Sequence, residues 1–249
     1  MLFRSQAVTR EYLRVPPVPW LQSIKAEILD PLRIQTQNHP FAEGVRNGKV
    51  PKFKIVRMLA DLLWTITTTA ECVAAMASRC PRYDHDLKAK LLENAYIERD
   101  HPHALARAVT ALGGEGDRIL AGPDSSWEAL PIAGYLRELQ LGMAFERPWI
   151  IGMAGFGVGI ECVAPALVHP IWEGLEAHYG LKREDADWFV WHAGEVEQQH
   201  GNAGLMILGK YVRLDDGATQ TECRHTIEKI MRLVGITNQD AYQIGRAHV

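Results

Sequence analysis

The chain has 249 residues, 47% hydrophobic and 23% charged, with a formal net charge of −3. That length suits one large domain or two small ones, and the composition excludes an intrinsically disordered chain. Lysines and arginines are scattered without a run of five or more, so no basic patch is set up for nucleic acid or an anionic membrane.

The N-terminal stretch MLFRSQAVTREYLRV carries Arg4 and lacks an apolar core of signal-peptide length. The pattern that follows is helical almost throughout, without the alternation of strands. A first helix is predicted over about 20–37. Asn38-His39-Pro40-Phe41 starts a short one that stops near Gly48, and His39 fits a helix start better than a ligand. Pro51 opens a long helix that Pro81 closes. Asp84 or Asp86 caps the next, which Pro102 kinks or breaks and Gly113-Gly114 ends. Residues 113–131 read as a loop rich in Gly, Pro, Ser and Asp. Helices follow over about 132–145, 148–179 with Gly180 as its stop, 184–212 and 221–234. Seven or eight helices with short connections predict an all-α fold, a single helical bundle in one domain over 1–243. The tail IGRAHV, 244–249, resembles translated sequencing-adapter sequence and is expected to be non-native, so His248 carries no functional weight.

The longest apolar run, 148–160, is too short to span a bilayer and ends at Glu161. Cys72, Cys80, Cys162 and Cys223 form no CxxC pair and are expected to be buried, reduced thiols in a cytoplasmic protein. The glycines of GFGVG, 155–159, have no strand before them and no Lys-Ser/Thr after them. They point to close helix packing rather than a phosphate loop.

Carboxylates inside apolar helical stretches are unusual, because burying an unpaired charge is costly. Glu71 sits in TITTTAECVAAM and Glu161 in GMAGFGVGIECVAPAL. Each alone also fits a carboxylate paired with a distant arginine. Glu98 and His101 are three apart and share a helix face, the Glu-x-x-His arrangement by which a bundle offers a metal a carboxylate and an imidazole; a surface ion pair is the alternative. His103, two residues on, faces away. WHAGEVEQQH, 191–200, brings His192, Glu195, Glu197 and His200. At roughly 100° per residue, Glu197 and His200 lie about 60° apart and His192 and His200 about 80° apart. By itself this is equally a polar helix face. Together, Glu71, Glu98, His101, Glu161, His192, Glu197 and His200 offer oxygen and nitrogen donors without thiolate. That mix suits two iron or manganese ions rather than a structural zinc. Trp64, Phe156, Trp188 and Trp191 lie near these helices, as core or as pocket lining, and His169 and His178 read as structural or exposed.

These motifs resemble the heme-oxygenase-like diiron oxidases, whose superfamily includes the TenA and PqqC folds. The resemblance covers about 35–212. NHPFAEGVRNGKV is similar to the family's opening helix and turn. ENAYIERDHPHAL, with Asn94, Glu98 and His101, has the spacing seen in undecene-forming fatty-acid decarboxylases. GIECVAPALVHPIWEGLEAHYGL resembles the segment around the family's isolated glutamate, here Glu161, and Glu71 matches the glutamate of the first core helix. DWFVWHAGEVEQQHG resembles the final ligand strip, which usually reads His-x-x-x-Asp-x-x-His. Here the histidines are one residue further apart, so the resemblance implies Glu197 as the carboxylate with a π-bulge absorbing the extra residue, and Glu195 as the alternative. The resemblance implies a heme-oxygenase-like bundle that holds two iron ions and uses O2 as co-substrate, with manganese as the other metal. It implies a non-heme oxidase or oxygenase of a small-molecule substrate in specialised metabolism, with an external electron donor and a homodimer as expected partners. N-oxygenation of an amine is the leading expectation, since Glu195 supplies an extra carboxylate. Oxidative decarboxylation or C–C cleavage of a fatty acid or amino acid is the alternative, followed by a metal-independent TenA- or PqqC-like enzyme. A TenA-like reaction would need a nucleophilic cysteine, for which Cys72, Cys80 and Cys162 are available.

Overall fold

The computed structural model describes residues 15–121, 127–193 and 195–243, and for 195–198 the helix but not the side chains. Among the described residues every regular element is helical. Helix α1 spans 19–37, with a π-helical turn at Lys25–Leu29 between Pro19–Ile24 and Asp30–Gln37. Pro31 lies two residues past the end of that turn. A proline lacks the donor for the preceding carbonyl and crowds it, and a wider turn relieves both. Helix α2, Pro40–Arg46, is capped by His39, whose Nδ1 accepts from the Phe41 N–H at 3.1 Å while Nε2 meets Asp240 at 2.9 Å.

The long helix expected between Pro51 and Pro81 is two helices, α3 (Lys52–Ile66) and α4 (Thr69–Arg79). The interruption falls in a threonine run. Thr65 donates to the Asp61 carbonyl at 2.8 Å, Thr67 to that of Trp64 at 2.8 Å and Thr68 to that of Thr65 at 3.3 Å. Hydroxyls that bond back to the helix compete with its own N–H ladder and favour an ending there. Asp84 accepts from the Leu87 N–H at 2.9 Å and starts α5, His85–Glu98. Pro102 sits in the first turn of α6, His101–Ala111, so the helix breaks at Arg99 and Asp100 as its sequence requires. A short α7, Gly116–Leu120, occupies part of the segment expected to be loop.

Helix α8 is Pro131–Phe145 and α9 is Trp149–His178, which contains a second π-helical turn at Ala154–Ile160. Helices α10 (Asp187–His192) and α11 (Glu195–Tyr211) follow a short 3-10 turn, and α12 covers 217–243. The last helix is longer at both ends than its sequence pattern suggests. Asp216 caps it through the Thr219 N–H, and a third π-helical turn at Arg232–Thr237 carries it to Asn238–Gln243.

Helix α9 is the axis of the bundle. It packs against α1, α2, α10, α11 and α12. By length and composition it could cross a membrane, with a mean hydropathy of 1.8, but 78% of its apolar window is buried inside the protein. Its apolarity is that of a core helix. The GFGVG glycines lie in its π-helical turn, where they allow close approach. A Cβ on Gly204 of α11 would stand 2.0 Å from the Gly157 carbonyl oxygen, and one on Gly174 would stand 2.3 Å from that of Val45 in α2.

Replacing Gly204 by Ala is therefore expected to cost about 1–3 kcal/mol through overpacking. Gly134, whose added Cβ would meet nothing within 4 Å, is the control; Gly134→Ala is expected to be neutral or stabilising by up to about 1 kcal/mol. Urea unfolding midpoints of the two variants check the pair of signs.

Candidate metal centre

The break between α5 and α6 places Glu98 at the end of one helix and His101 at the start of the next. Their side chains meet, with His101 Nδ1 2.8 Å from Glu98 Oε2, and each residue is only 7% exposed. Glu161 follows the π-helical turn of α9 directly. His200, from α11, brings its Nδ1 to 3.7 Å from Glu161 Oε2. One ligand atom each from Glu98, Glu161 and His200 lies within 4.8 Å of the others. His192 ends α10, and its ring stands edge-on to that of His101 at 4.7 Å between centroids. Glu98, His101, Glu161, His192 and His200, far apart in the chain, thus come together at the meeting of α5, α6, α9, α10 and α11.

Glu71 is placed elsewhere. It is exposed in the first turn of α4 and does not join the group. A continuous helix through 51–80 would have oriented it differently; the threonine interruption resets the helix two residues before it. The side chains of Glu197 and Glu195 lie outside the described residues. Among the described residues from His192 to His200 no π-helical turn is found; helix α10 ends at His192 and α11 runs from Glu195. The π-helical turn near the site is instead the one that precedes Glu161.

The His192 ring is held in one tautomer. Its Nδ1 is 2.7 Å from the Trp188 carbonyl. A carbonyl only accepts, so Nδ1 carries the proton and Nε2 keeps the lone pair that a metal would use. Burial, then the neighbouring His101, pushes the His192 pKa down to about 4, so the ring is neutral at physiological pH. His200 goes the other way, raised first by its hydrogen bond to Glu161 and further by the negative charges of Glu161 and Glu98. Trp188 stacks on His192 at 4.2 Å and Trp191 lies tilted to His101 at 5.4 Å. These aromatics pack against the histidine rings. The Trp188 carbonyl is a functional group that the sequence pattern did not single out. Every residue has a carbonyl, and only the four-residue offset to His192 hints at it.

The donor set fits a first-row metal. It combines carboxylates and neutral imidazole without thiolate, and the two glutamates supply negative charge that a divalent cation neutralises.

Fold and site together define a helical bundle with a convergent carboxylate–histidine cluster that could hold a metal. A sequence profile of the iron-containing redox enzymes matches residues 63–235, and the chain belongs to that family. The bundle is the heme-oxygenase-like, TenA-type fold. It is similar to the structure of a TenA homologue from Pseudomonas syringae pv. tomato, with a TM-score of 0.77 and 16% identity over 96% of this chain and 99% of that one. A domain of unknown function with a heme-oxygenase-like fold from Shewanella denitrificans gives 0.71 and 13% over 91% of both chains. A TenA homologue from P. horikoshii gives 0.68 and 13%, over 91% of this chain and 99% of that one. No functionally curated protein matched the sequence.

In the metal-free protein the depressed pKa of His192 means that its neutral form is the one the fold favours. The contribution, on the order of 3 kcal/mol, is present above pH 6.5 and is lost as the pH falls through about 4. His200 contributes with the opposite sign, fully below pH 6.5 and decreasingly as the pH rises through its raised value. Imidazole NMR titration is expected to find His192 still neutral at pH 6, and titration near 6.5 would show that the ring is solvated.

Proposed function

We propose that this protein is a non-heme diiron, O2-dependent oxidase or oxygenase of a small molecule. The observation that carries the reading is the convergence of Glu98, His101, Glu161, His192 and His200 in a member of the iron-containing redox enzymes. These residues would hold iron, with Glu197, or Glu195, completing the set from α11. Glu71, exposed on α4, is not part of it. Ferrous iron bound there would supply electrons for the activation of O2, and an external donor would restore them.

The chain's own groups define the conditions of that chemistry. Glu98 and Glu161 balance cationic charge within an apolar bundle. The Trp188 carbonyl fixes the His192 tautomer, and the Trp188 and Trp191 rings limit access of water to the histidines. N-oxygenation of an amine is the leading reaction, with oxidative decarboxylation or C–C cleavage of a fatty acid or amino acid next.

The likeness to TenA homologues raises a metal-independent reading, in which a cysteine would act as nucleophile. The thiols oppose it. All four are free and buried. Burial pushes Cys72 and Cys162 up to about 12 and also raises Cys80, so none is a thiolate at neutral pH. Buried reduced thiols also suit the cytoplasm as the place of action.

The test is anaerobic Fe(II) titration followed by mixing with O2. Two irons per chain are expected in the wild type. Glu98→Ala, Glu161→Ala and His200→Ala are each expected to weaken binding at least about tenfold to a hundredfold while leaving the helical circular dichroism unchanged. O2 uptake with amine and fatty-acid panels then separates the two reactions. Binding of no more than trace iron by the wild type would overturn the reading in favour of the metal-independent one.

A further inference from the structure

A small cavity lies inside the bundle where α3, α9, α10 and α12 meet. Its volume is about 10 Å³, room for a single small molecule. Met58 of α3, Leu167, Val168 and Ile171 of α9, Trp188 of α10 and Asn238 of α12 are among the nine residues around it. Of those nine Leu62 alone is partly exposed, so the space is set within the core. The walls are aliphatic and aromatic. The lining side chains bring two polar groups, the Asn238 amide and the Trp188 indole N–H, and the indole N–H is buried without a hydrogen bond. A buried water typically makes about three hydrogen bonds, more than these walls supply. An apolar occupant instead gains dispersion contacts that the lining atoms otherwise lack.

Trp188 ties this cavity to the candidate metal centre. Its ring stacks on His192 at 4.2 Å, and its carbonyl holds that histidine's proton. The cavity is therefore one side chain away from a candidate ligand. Size and walls together select the occupant. A polar small molecule would bring groups that the walls leave unpaired. Anything of more than about two or three heavy atoms exceeds the space. O2 is diatomic, uncharged and more soluble in hydrocarbon than in water, so it meets both conditions.

We propose that this cavity binds a single O2 molecule, held one indole away from His192. The proposal rests on the oxidase reading for O2 as co-substrate, while the affinity for the gas is a property of the metal-free protein. Methyl NMR of that metal-free protein under O2 and under N2 tests it, because paramagnetic O2 speeds the relaxation of methyls it touches. The enhancement at Leu167 and Ile171 is expected to be at least about threefold that at Leu21 and Ile24, which are as deeply buried but do not line the cavity. Val168→Ile, which adds a methylene to the wall, is expected to abolish the excess, and Val168→Ala, which enlarges the space, to increase it. In the Fe(II)-loaded protein, Val168→Ile is expected to slow iron oxidation at low O2 and to leave it unchanged at saturating O2. Equal enhancement at all four residues, or a nuclear Overhauser contact from bound water to the cavity methyls, would overturn the site without any variant having to fold. An emptied cavity with iron oxidation unchanged at low O2 would overturn its part in supplying the gas. Gas in the cavity of a protein that takes up no iron would keep the site and remove the oxidase reading. Iron uptake and O2 consumption with no excess at the cavity methyls would do the reverse.

Discussion

Two carboxylates enclosed in an apolar bundle set the terms for this protein. Glu161 projects from the most apolar helix of the chain, and Glu98 is almost completely buried. The fold answers with imidazoles, His101 against Glu98 and His200 against Glu161. A divalent cation held there would complete the neutralisation. Several local irregularities serve that encounter. The break at Arg99 and Asp100 turns His101 onto Glu98, a π-helical turn precedes Glu161, and the Gly157–Gly204 contact lets α11 come close enough for His200 to reach α9.

The histidines do not play equivalent roles. His192 is held neutral by burial and given a defined tautomer by the Trp188 carbonyl, while His200 is biased towards its charged form by the carboxylates. In one small space the same side-chain type is thus prepared as a lone-pair donor and as a charge partner. The separation follows from what each ring touches, an indole and a carbonyl in one case and a glutamate in the other. The fold is shared with TenA homologues, but at such low identity the likeness carries architecture alone. What this chain's site offers is oxygen and nitrogen atoms that converge, beside thiols that burial keeps protonated.

Much of the architecture was legible in the chain. Asp84, Pro102, Gly113 and Gly180 act at the helix ends where their chemistry places them, and His39 caps α2 rather than serving as a ligand. The Glu98–His101 pair was legible because three residues separate them at a helix boundary. Glu71 was not. Its apolar surroundings gave it the look of a buried acid, and its orientation turned on whether three neighbouring threonine hydroxyls would end a helix. That competition is decided by small differences in hydrogen bonding, which periodicity does not record.

Residue types and their spacing were sufficient to establish an all-α bundle and to point to a set of carboxylates and imidazoles. These are local properties, governed by helical periodicity, capping and charge. Which donors meet and which histidine is neutral depended on the packed molecule. Those outcomes rest on contacts between helices distant in the chain, on the burial that sets a proton's cost, and on carbonyl groups that every residue carries and no sequence distinguishes.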